Sequence, residues 1–100
     1  MSAHNVPELK KLILGIDHIG IAVPDLDTGR NLFAGILGLD EHHTEVNEGQ
    51  GVSESMLAFP DSHGEIQLLA PLSPDTTIGK FLATRGPGIQ QLALRVSDVE

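Results

Sequence analysis

Hydrophobic and polar positions along the chain alternate between two rhythms, one of period two and one of helical spacing. Residues 15–23 (GIDHIGIAV) are rich in Ile and Val, run into Pro24, and read as a strand. Leu26, Phe33, Ile36 and Leu37 then recur at helical spacing, which predicts a helix over 26–37 with Asp25 as N-cap and Gly38 closing it. Residues 40–47 form a polar edge strand, and Asn47 to Gly51 a turn. Residues 52–59 and 65–70 alternate as two strands joined through Pro60 to Gly64. Pro71 and Pro74 break the chain, Asp75 caps a short helix through Arg85, and Gly86-Pro87-Gly88 leads into a last strand. The order β-α-β-β-β, linking helix, β is an α+β pattern. It is no dinucleotide fold, because Pro24-Asp25-Leu26 stands where a glycine-rich phosphate loop would follow the first strand.

Two stretches repeat each other: GIDHIGIAVPDLD at 15–27 and GIQQLALRVSDVE at 88–100. Each is a strand running toward an Asp-led helix start, which points to a duplicated supersecondary module. The chain then divides into an N-terminal tail (1–13), a first βαβββ module with its linking helix (14–87), and the start of a second module (88–100). A second module of equal length would run on for roughly 60 residues past Glu100. Without it the sheet keeps an open edge, which favours association and a homodimer.

Alternation assigns faces to the polar residues. Ile19, Ile21 and Val23 share the side that packs on the helix, and His18 lies opposite, beside Ile16, Gly20 and Ala22. In the repeat, Leu92, Leu94 and Val96 share one side and Gln91 takes the other, so His18 and Gln91 occupy matching positions. Gln67 opposes Ile66, Leu68 and Ala70, and Glu54 is the charged member of the Val52, Met56, Ala58 side. The expected picture is a sheet with helices on one side and a hollow on the other, into which one His, one Glu and two Gln point. Spacing alone leaves their roles open, since a lone strand His is more often structural than a ligand. His42, His43 and His63 fall in polar contexts and read as surface residues.

Composition narrows the chemistry. The 100 residues carry no Cys, which excludes a disulfide scaffold, a thiolate metal site and a Cys nucleophile. Net charge −8 leaves no basic stripe for a phosphate backbone, so no nucleic-acid partner is expected. No run reaches the ~18 apolar residues of a membrane span, and MSAHNVPELKK has no long apolar leader, so the cytoplasm is the expected compartment.

The segments IDHIGIAVPDLD (16–27), EVNEGQGVSESML (45–57), IQLLAPLSPD (66–75) and GIQQLALRVSDVE (88–100), in order and at matching intervals, resemble methylmalonyl-CoA epimerases of the vicinal oxygen chelate superfamily, which also holds glyoxalase I and the bleomycin-resistance proteins. DHIGIAV marks the superfamily, and QGV-x-E with QLLAPLSPD is more specific to the epimerases. The resemblance implies paired βαβββ modules curled around one divalent metal, Co²⁺ or Mn²⁺ first, with Ni²⁺, Zn²⁺ or Mg²⁺ as alternatives. By position it implies His18, Gln67 and Gln91 as metal ligands, a fourth Glu ligand beyond residue 100, and Glu54 as the proton-transfer base. It further implies an acyl-CoA substrate and interconversion of (R)- and (S)-methylmalonyl-CoA through a metal-stabilised enolate. Gln90-Gln91 stands where the family has a His-His pair, exchanging an imidazole nitrogen for an amide oxygen. Two other functions of the scaffold stay open: a glyoxalase I-type lyase (lactoylglutathione lyase), and a metal-free, resistance-type small-molecule-binding protein.

Overall fold

The computed structural model describes residues 12–61 and 63–97. The tail residue His4 and the helix start expected at Asp98 lie outside them. The elements are β1 (Ile13–Ala22), α1 (Leu26–Arg30) continued by a π-helical segment (Asn31–Ile36), β2 (Asp40–Asn47), β3 (Val52–Ala58), β4 (Glu65–Pro71), α2 (Thr77–Arg85) and β5 (Gly88–Val96). The α+β pattern is present, with each expected strand in its place. β1 begins at Ile13, two residues earlier than its sequence pattern indicates.

The strands form one mixed sheet in the order β2-β3-β4-β1-β5. β1 runs parallel to β4 and antiparallel to β5, so the first strand of the module is an interior strand and the repeat strand lies beside it at the edge. The repeat appears here as a local two-fold relation. Ile19 and Leu92, equivalent in the two copies, are direct partners, while Gly20 faces Gln91 and His18 faces Ala93.

On one face of the sheet Leu92 and Leu94 of β5 stay 57 % and 50 % exposed, whereas the part that α1 covers is dry. Val23, Leu39, Leu57, Ile66, Leu68 and Ala70 pack together there with Ile19, Ile21, Leu26 and Phe33, so α1 lies on the side that alternation assigned to it. Asp25 caps α1, its carboxylate accepting from the Thr28 backbone N–H at 2.8 Å. That bond is the main reason the Asp25 carboxyl titrates below its ordinary value. Ile36 and Leu37 do not join the apolar stripe: they are 76 % and 58 % exposed. The cause is the π-helical segment, in which Leu37 N–H bonds the Leu32 carbonyl five residues back, so helical spacing no longer keeps these side chains over the sheet.

The helices also do not share one side of the sheet. Ala22, Val52 and Leu69, on the opposite face, pack with Ile78, Phe81 and Leu82 of α2. That helix therefore covers one end of the hollow and leaves the other open. Its cap is Thr76 rather than Asp75, the Thr76 hydroxyl accepting from Gly79 N–H at 3.0 Å. Among the described residues, no helix is long and apolar enough to cross a membrane.

Candidate functional site

The open part of the second face is built from rows of residues that the strand register sets side by side. Met56, Gln67, Gly20 and Gln91 lie in one row across β3, β4, β1 and β5. Ala58, Glu65, His18 and Ala93 lie in the next. Glu54, one step the other way on β3, reaches diagonally toward the first row.

Three of the four polar residues singled out above are joined in a chain. Gln67 Nε2 donates to Glu54 Oε1 at 2.9 Å, and Gln91 Nε2 donates to Gln67 Oε1 at 3.1 Å. A carboxylate can only accept, so Glu54 sets the direction in which both amides point. Gly20 makes the second bond possible. A Cβ there would stand 2.5 Å from Gln91 Cγ, so the bare backbone of β1 leaves the floor over which Gln91 crosses to β4. Gln67 and Gln91 also line a cleft of about 420 Å³ with Gly49 and Gln50 of the β2–β3 turn, Thr77 at the start of α2, and Gln90.

His18 shares the face but is not joined to that chain. Its Nδ1 lies 2.8 Å from Asp17 Oδ2. The side chain is only 22 % exposed. His42, His43 and His63 stand at the surface, as their context indicated.

Two groupings escaped the sequence reading. Glu65, beside His18 in the register, takes His42 Nε2 at 2.6 Å across β3, a reach that the small Ala58 between them allows. Its parity with Gln67 was the signal available. On the dry face Glu41 accepts from Arg30 Nε at 2.6 Å, from Thr44 and from the buried Ser55 hydroxyl. The Ser55 bond first, and then Arg30, hold the Glu41 carboxyl below its usual range, and the Glu41 bond raises Arg30.

The donors on the open face, an imidazole nitrogen and carboxamide oxygens around the glycine floor, fit a borderline or hard divalent cation. Among the described residues no three His, Asp or Glu side chains gather into a metal cage, so a cation here would depend on glutamine oxygens.

A mixed sheet with its first strand in the interior, its repeat strand alongside, and a polar open face defines a βαβββ module of the vicinal oxygen chelate kind. The Glyoxalase/Bleomycin resistance protein/Dioxygenase superfamily matches residues 17–100, and the chain belongs to that family. Within it the chain is similar to methylmalonyl-CoA epimerases. The crystal structure of the one from Mycobacterium tuberculosis is 52 % identical with a TM-score of 0.80, over 89 % of this chain and 59 % of that one. A Streptomyces coelicolor epimerase variant in complex with 2-nitronate-propionyl-CoA is 41 % identical with a TM-score of 0.75, over 87 % and 65 %. An ethylmalonyl-CoA/methylmalonyl-CoA epimerase of Cereibacter sphaeroides is 28 % identical over 84 % of this chain and 62 % of its own length. The chain thus spans less than two thirds of the length of each of these relatives.

Proposed function

We propose that this chain carries the proton-abstracting half of an acyl-CoA epimerase site, acting on (R)- and (S)-methylmalonyl-CoA or a close relative. The observation that carries the reading is Glu54, a carboxylate on the open face with one oxygen held by an amide N–H. The hydrogen to be moved lies on the carbon between a thioester and a carboxylate, where it is acidic enough for a positioned carboxylate to take. Gln67 fixes Glu54 through Oε1, Gln91 fixes Gln67, and the second oxygen of Glu54 takes the proton. The cleft beside this chain, bounded by Leu69 and Ile78 and edged with amides, receives the acyl end.

His18, Gln67 and Gln91 would hold a divalent cation, Co²⁺ or Mn²⁺ first, which when bound supplies Lewis-acid stabilisation of the charge developing on the thioester oxygen. The test is solvent deuterium incorporation into methylmalonyl-CoA, with and without added Co²⁺ or Mn²⁺. Incorporation above the uncatalysed background is expected, and none by metal-loaded protein sinks the assignment. Gln91→His should tighten cation binding measured by calorimetry, and unchanged affinity would remove Gln91 from the ligand set.

A further inference from the structure

Asp17 and His18 are consecutive in a strand, where side chains normally point to opposite faces. Here they touch, Nδ1 to Oδ2 at 2.8 Å. The reason lies in the register. Against β5, Ile16 pairs with Leu94 and His18 with Ala93, so two steps along β1 match one step along β5 and Asp17 is an extra, bulged residue. A bulge re-aims the residue it contains, and this one brings the Asp17 carboxylate to the imidazole.

The contact has a chemical consequence. A carboxylate only accepts, so Nδ1 carries the hydrogen, and in the neutral ring Nε2 keeps its lone pair. We infer that Asp17 is a positioning residue for His18: the β1 bulge exists to fix the ring's orientation and tautomer so that Nε2 is the nitrogen presented to a divalent cation. The inference rests on the cation reading proposed above. A ligating His that donates its other N–H to a carboxylate is held in place and made a better donor, and loss of such a partner typically weakens metal binding by about 10- to 100-fold.

The test uses the whole chain with ¹⁵N-labelled histidine. Two-bond ¹H–¹⁵N correlations of the metal-free protein should show His18 as the Nδ1–H tautomer. Asp17→Ala should move it toward Nε2–H, and Asp17→Asn, which keeps an acceptor oxygen on a nearly isosteric side chain, should restore Nδ1–H. Co²⁺ titrations should show Asp17→Ala weakened by about 10- to 100-fold and Asp17→Asn close to wild type. A wild-type Nε2–H tautomer, or a tautomer indifferent to Asp17→Ala, overturns the inference. So does a Co²⁺ affinity that Asp17→Ala leaves unchanged while the wild type binds. If the wild type takes up no Co²⁺ at all, the cation reading itself fails, and the role given to Asp17 fails with it.

Discussion

Glu41 and Glu54 sit on neighbouring strands, on opposite faces of one sheet, and their surroundings differ in a way that separates structural from chemical carboxylates. Glu41 takes hydrogen bonds from Ser55, Arg30 and Thr44, and its proton affinity falls accordingly. A carboxylate so fully supplied with donors ties β2, β3 and α1 together and is a poor base. Among the described residues Glu54 takes one amide N–H, from Gln67, and that amide is itself held by Gln91. One oxygen oriented and one left over is what proton transfer needs. The same side-chain type is thus committed to stability on the dry face and left available on the open one.

The largest expected effect breaks that contrast at Glu54. Glu54→Gln should cut deuterium exchange by roughly 10²–10⁴-fold while leaving cation affinity in place, and Glu41→Gln should leave exchange near wild type. Exchange that survives Glu54→Gln removes Glu54 as the base. Next comes the dry face itself. Leu68 is fully buried, and Leu68→Ala should cost about 2–5 kcal/mol, read as a lowered denaturation midpoint. A change on the open face should behave differently. Gly20→Ala places a methyl 2.5 Å from Gln91 Cγ, so the Gln91 side chain must swing to another rotamer and stability should fall by about 1 kcal/mol. Exchange should fall on the order of 10-fold or more, because the amide chain is displaced. If stability drops and exchange holds, the glycine serves packing rather than the site.

The smallest effect sharpens the contrast through pH. The Glu41 and Asp25 carboxyls are depressed in the folded state, so their contribution is fully present above the ordinary carboxylate range. It is lost as pH falls below about 4 and through the lowered values. Thermal midpoints should therefore decline with acid, and Glu41→Gln should flatten the decline at a cost of roughly 1 kcal/mol at neutral pH. An identical acid profile for the variant would mean that the Ser55 and Arg30 bonds contribute nothing.

Strand alternation is a property of the backbone alone, so faces could be read from the chain. That is why Ile19, Ile21, Ile66 and Leu68 are legible as the helix-packed side, and why parity alone groups Glu54, Gln67 and Gln91 on the other. Repetition between 15–27 and 88–100 likewise announced two equivalent strands, and their pairing about Ile19 and Leu92 follows it. What tertiary structure decided was everything that depends on how distant segments meet. The bulge that turns Asp17 onto His18 exists only because β1 and β5 pair out of step. The glycine floor under Gln91 matters only because β1 runs between β4 and β5. The position of α2 over Leu69 and the reach of His42 to Glu65 have the same origin. Local spacing sets which way a side chain points, whereas register and layer packing set what it touches, and the chemistry of a site lives in the second.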